Sequence, residues 1–144
     1  MRRIGVTVLL ITLALPAAAQ NFPLDKAYKV ISISGYEVAK IGMTLKVAHE
    51  GGQLRASGHA GCNGWTAIAA IRDEQIDLAE IVTTKKFCGK PRMISEEAFL
   101  TSLRSAHRWR LDDKGRLILE GDAARLLLTA GSADAPAEKK PAKK

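Results

Sequence analysis

Two cysteines constrain this 144-residue chain more than any other feature. Cys62 lies in Ser57-Gly58-His59-Ala60-Gly61-Cys62-Asn63-Gly64-Trp65-Thr66, a glycine-dense bend between two runs that read as strands. Cys88 lies in Thr83-Thr84-Lys85-Lys86-Phe87-Cys88-Gly89, again at a strand-to-loop junction. In an oxidising compartment such a pair forms a disulfide, here one that pins two turns of a small body. Closing a loop of this length stabilises by about 3–4 kcal/mol through lost denatured-chain entropy. A second reading is a metal site. His59-x-x-Cys62 presents two donors, and Cys88 with His107 would complete a zinc tetrahedron. The compartment favours the disulfide, because free thiolates do not persist where disulfides form.

The compartment is read from the first residues. Met1-Arg2-Arg3 is basic, residues 4–15 are apolar apart from Gly5, Thr7 and Thr12, and Pro16-Ala17-Ala18-Ala19 is a small-residue ending. This is the pattern of a secretory signal peptide over residues 1–19, with Gln20 as the mature N-terminus. The apolar run is too short for the roughly 20 residues that span a bilayer, and no other run approaches that length. No cysteine stands at the cleavage site to carry a lipid. A periplasmic or secreted protein, not membrane-spanning, is expected.

Charge narrows the partners. The formal +7 includes Arg2 and Arg3, so the mature chain carries +5. Residues 131–144 hold four lysines against Asp134 and Glu138, which leaves +3 for the body. Nucleic-acid binding needs basic residues on one face with aromatics between them, and the body shows no such cluster. The Ala/Pro/Lys-rich tail has no large apolar residue, so it is expected to be disordered, with at most a weak attraction to anionic surfaces.

Between them, residues 20–130 form a single domain punctuated as short strands. Residues 28–33, 44–48, 53–57, 65–71, 75–82, 109–111, 116–119 and 125–129 read as strands separated by Gly-rich or polar turns. Asp112-Asp113-Lys114-Gly115 is a strong hairpin signal. Such spacing predicts a mainly β fold, a small barrel or sandwich of antiparallel strands. Residues 91–107 break the rhythm. Ala98, Phe99, Leu103 and Ala106 recur at helical spacing, and Pro91 suits a helix start. Glu96 and Glu97 early, with Arg104 and Arg108 late, read as complements to the helix dipole. This one amphipathic helix is expected to plug an end or side of the barrel, with Trp65 and Trp109 in the core.

Gly58-x-x-Gly61-Cys62-Asn63, Thr84-x-x-x-Cys88, Met93-x-x-Glu96-x-x-Phe99-Leu100-x-x-Leu103, Leu111, Leu117-x-Leu119 and Leu126-x-Leu128 follow one another in an order that resembles the META domain, also called the HslJ-like domain. The chain departs from the family pattern at Tyr28, where a tryptophan is common, and at Ala67, where a glycine is common. The resemblance implies a compact β-barrel-like fold with one helix. It also implies an envelope protein linked to heat shock or stress, to novobiocin resistance or, in some members, to secretion or motility. No catalytic residues are established for the family, so Gly61, Cys62, Asn63, Thr84, Cys88 and Glu96 carry over as structural motif positions.

Enzyme signatures are otherwise missing. There is no Gly-x-Ser-x-Gly elbow, phosphate loop, dinucleotide fingerprint or His-Glu-x-x-His. Asp73, Glu74, Asp77 and Glu80 read as a solvated hairpin, and an Asn between Cys and Gly more readily takes a left-handed backbone or bonds its own turn than polarises a ligand. The expectation is a monomeric, non-enzymatic protein without a cofactor that binds an envelope protein or cell-wall component. The alternatives are a metal-binding protein and a small inhibitor of an envelope hydrolase presenting the Gly-rich loop.

Overall fold

The computed structural model describes residues 19–131, so the predicted leader and the basic tail lie outside the described residues. The strands are β1 (Ala27–Ile33), β2 (Tyr36–Glu37), β3 (Thr44–Glu50), β4 (Gln53–His59), β5 (Gly64–Arg72), β6 (Gln75–Thr83), β7 (Ala106–Leu111), β8 (Leu117–Gly121) and β9 (Arg125–Ala130). A single helix, α1 (Lys90–Ser105), stands between β6 and β7. The strands pair antiparallel in the order β1-β3-β4-β5-β6-β7-β8-β9, and β1 returns to β9 through pairs such as Val30 with Leu128. Eight of the nine strands thereby close into a barrel, which leaves no long sheet edge open. The two-residue β2 adds to β1 alone.

Alternation places the core. Tyr28, Val30, Leu45, Val47, Trp65, Ala67, Ile76, Leu78, Leu126 and Leu128 point inward along their strands. Every strand read from the sequence is present, with boundaries moved by a few residues. The barrel is unevenly sewn, because β6 and β7 share only the pair Gln75 and Arg108, with Trp109 N–H donating to the Glu74 carbonyl at 2.9 Å. Helix α1 packs against β6, β8 and β1, and its Phe99, Leu100 and Leu103 join the core. Phe99 meets Trp65 edge to face, 5.9 Å between centroids. The expected plug therefore packs on the barrel's core through one face.

Two expectations about the helix charges change. Arg108 belongs to β7, where its guanidinium lies 3.5 Å from Glu74, because Ala106 turns extended and ends the helix at Ser105. Glu96 is buried, and the first turn of α1 holds no acid. Its inward position follows from the stripe it shares with Phe99, Leu100 and Leu103, a spacing of three, four and seven residues.

Local chemistry sets the hairpins. The Asp112 carboxylate accepts the N–H groups of Lys114 and Arg116 at 3.0 and 2.9 Å and pairs with the Arg116 guanidinium at 2.7 Å. Desolvation alone would raise its pKa. The Arg116 and Lys114 hydrogen bonds and the Arg116 charge outweigh that and hold the carboxyl below its ordinary value. Before β1, the Gln20 side-chain amide both donates to the Leu111 carbonyl and accepts its N–H, at 3.3 and 3.0 Å, while Phe22 stacks edge-on to Trp109.

Gly58 is required for a different reason. A Cβ there would collide with the Thr44 carbonyl oxygen, the atom that accepts the Trp65 Nε1–H at 3.2 Å. Gly58→Ala is expected to destabilise by about 1–3 kcal/mol through overpacking. Urea unfolding checks this, and an unchanged midpoint would contradict the close approach. Because the folded pKa of Asp112 is depressed, its contribution is complete above the ordinary carboxylate value and is lost as pH falls through the lower folded value. Asp112→Asn should therefore lower stability at neutral pH and flatten its acid-side decline, read from urea midpoints across the acid range.

Candidate functional site

The motif residues meet in one polar cluster where the β4–β5 bend, the β6–α1 loop and α1 come together, buried at Gly61, Cys62, Asn63 and Glu96 and exposed at Thr84 and Cys88. The bend is built locally. Ala60 N–H donates to the Asn63 carbonyl at 2.7 Å, and Gly61 N–H donates to His59 Nδ1 at 3.1 Å. Gly61 has φ +101, and a Cβ there would approach Ile41 to 2.7 Å, so neither its backbone nor its surroundings admit another residue without strain.

Asn63, 1% exposed, is the hub. Its Oδ1 accepts the Thr84 hydroxyl at 2.8 Å and the Lys86 N–H at 2.7 Å. Its Nδ2 donates to the Lys86 carbonyl at 3.2 Å and to Glu96 Oε1 at 2.7 Å. Every hydrogen-bonding position of the amide is thus occupied. Asn63 does not take the left-handed backbone or bond its own turn, as its type and neighbours led one to expect. Instead its amide pairs with the Lys86 peptide as one strand residue pairs with another.

Glu96, 4% exposed, closes the cluster from α1. Its Oε2 accepts the backbone N–H groups of Cys62 and Asn63 at 3.2 and 2.7 Å. These amides face into the bend, where no strand can satisfy them, and the carboxylate takes the place of a strand partner. Arg92 adds a second tie by donating to the Gly61 carbonyl at 3.1 Å. Thr84 is fixed again through its N–H on the Gly64 carbonyl at 3.0 Å.

Cys62 and Cys88 are joined by a disulfide with a Cα–Cα distance of 5.8 Å, and no free cysteine remains among the described residues. The bridge fastens the bend to the β6–α1 loop alongside the Asn63 contacts. It also takes both sulfurs away from the alternative zinc set. His59 turns its Nδ1 to Gly61, and His107 lies on β7 against the Ser105 carbonyl. Among the described residues no group of three or more His, Cys, Asp or Glu side chains is placed to hold a metal ion.

Gly61, Cys62, Asn63, Thr84, Cys88 and Glu96 are therefore brought together, and His107 is not. Lys86 and Arg92 belong to the cluster without having been read from the sequence, since Lys86 acts through its backbone and the partner of the Arg92 guanidinium is a carbonyl 31 residues away. The carboxylate faces buried donors, the amide bridges from them to the part-buried Thr84 and Lys86 groups, and the sulfurs are bonded to each other. Two surface depressions lie elsewhere. One, of 460 Å3, runs between Tyr36, Ile94, Ala98 and Ala124, and the other, of 1230 Å3, surrounds the β5–β6 turn.

The family model described as the META domain matches residues 20–134. The fold is similar to the NMR structure of a protein from Burkholderia xenovorans, with a TM-score of 0.64 at 19% sequence identity, covering 87% of this chain and 99% of that one. No curated protein matches the sequence.

Asn63→Ala and Glu96→Ala each strand several buried donors or acceptors, and each is expected to destabilise by about 3 kcal/mol. Because the two residues share a bond and the neighbouring amides, the double variant should lose clearly less than the sum. Urea unfolding of the four proteins checks this, and strict additivity would contradict the shared network. Cys62→Ser with Cys88→Ser should separately lower stability by about 3–4 kcal/mol.

Proposed function

The chain belongs to the META domain family, and from that premise we propose that it is a non-catalytic exported protein that serves envelope maintenance by binding a component of the bacterial envelope. The observation that carries this reading is the closure of the motif cluster. Asn63 and Glu96 are hydrogen-bonded to each other and to the bend, and the two cysteines are joined, so these motif residues hold a shape and leave no thiolate for chemistry. Function then falls to the surfaces that this scaffold presents.

The disulfide fits an oxidising compartment, as does the basic, apolar and small-residue pattern of residues 1–19. A periplasmic location, a part in heat-shock or other stress responses, and protection against novobiocin follow as the biological reading. Among the described residues no helix is long and apolar enough to cross a membrane.

The test has two arms in one strain. Protein expressed with its own leader should be recovered with a mass beginning at Gln20, two hydrogens lighter than the dithiol and without alkylatable cysteine. Photo-crosslinking from exposed positions of the β6–α1 loop should give an envelope adduct that a helix-face position such as Thr101 does not. Retention in the cytoplasm with two free thiols would overturn the export reading, and equal or absent adducts at both positions would overturn binding through the loop.

A further inference from the structure

We propose that the β6–α1 loop and the first turn of α1 form a docking surface for anionic lipid, with Phe87 entering the headgroup layer and Lys85, Lys86, Lys90 and Arg92 facing the phosphates. This rests on the envelope-binding reading above and names the chemistry of the component. Residues 81–95 contain those four cations and no Asp or Glu. The same stretch holds three of the four large apolar side chains most exposed among the described residues: Val82 at 63%, Phe87 at 78% and Ile94 at 69%. One exposed apolar residue is ordinary, but an aromatic tip amid uncompensated cations is the composition of an interfacial anchor.

The charges are available. The six ion pairs among the described residues use Arg55, Arg104, Arg108, Arg110, Arg116 and Arg125, and none uses a cation of this loop. Arg92 touches the bend through the neutral Gly61 carbonyl and makes none of these ion pairs. The loop is also preformed. Asn63 grips the Lys86 peptide from below and the disulfide fixes Cys88, while the side chains of Lys85, Lys86 and Phe87 stand exposed. Binding therefore orders little backbone, which removes a large opposing term.

Lipid fits better than an acidic protein or a nucleic acid. An acidic protein would answer the charge and leave Phe87 without an apolar layer, and one aromatic is too few for base stacking. Each cation near an anionic surface contributes about a fivefold gain in affinity.

The experiment uses the full mature chain, tail included, in co-sedimentation with phosphatidylglycerol-containing vesicles and with phosphatidylcholine vesicles at low and high salt. Binding to the anionic vesicles alone, weakened by salt, is expected. Lys85→Ala with Lys86→Ala should weaken it about thirtyfold. Phe87→Ser should weaken it with the charge unchanged. None of the three side chains contacts the Asn63 cluster, and retention of the disulfide by mass and of the far-UV spectrum shows that the variants are folded. Lys139→Ala with Lys140→Ala controls for the tail. Equal binding to both vesicles, or loss with the tail variant but not the loop variants, would overturn the proposal. An envelope protein crosslinked through the loop without vesicle binding would overturn it too, and would leave the broader envelope-binding reading standing.

Discussion

A buried carboxylate holds this structure's least regular part. Glu96 reaches from α1 into the β4–β5 bend and accepts two backbone N–H groups and the Asn63 amide, all within 3.2 Å. Burying a carboxylate is unfavourable unless donors replace its water, and here three do. The dependence runs both ways. Without Glu96 the N–H groups of Cys62 and Asn63 have no acceptor, and without the bend the carboxylate has no donors. The helix is therefore positioned by a polar contact as well as by Phe99, Leu100 and Leu103, which join the core.

Asn63 extends the same logic to the β6–α1 loop. A loop cannot satisfy its own peptide groups through a ladder, so it borrows them. The Asn63 amide supplies a donor and an acceptor to Lys86, and the disulfide adds a covalent tie two residues later. The result is a barrel whose β4–β5 bend, β6–α1 loop and helix are fastened at one point, leaving the outward side chains of the loop free to differ in function.

The strands were legible because their information is local. Alternation in residues 28–33 and 125–129 and the Asp-Lys-Gly turn each speak within ten residues, and the strands and the hairpins between sequence neighbours follow. The disulfide was legible from compartment and count. The wiring of the cluster was not, because Asn63 and Glu96 are 33 residues apart and no local period links them. Glu96 is instructive, since its acidity suggested a partner for the helix dipole while its spacing to Phe99 and Leu103 placed it on the buried stripe. Spacing prevailed over charge because the bend offers donors that solvent cannot reach. Asn63 misled in the same way, as its type suggests a local turn and its burial demands distant partners. Closure of the barrel between β1 and β9 was also beyond local reading, for it joins residues 98 positions apart such as Val30 and Leu128.

The central claim is that the motif cluster is part of the structural core rather than a site that opens to bind. Native-state hydrogen exchange of the Cys62 and Asn63 amides tests it most directly, because both donate to Glu96. The account predicts that they exchange only with global unfolding, with the same free energy as a core strand amide such as Val30, which donates to Met43. Exchange by a low-energy local opening, with Val30 still protected, would contradict it and make the bend a moving part.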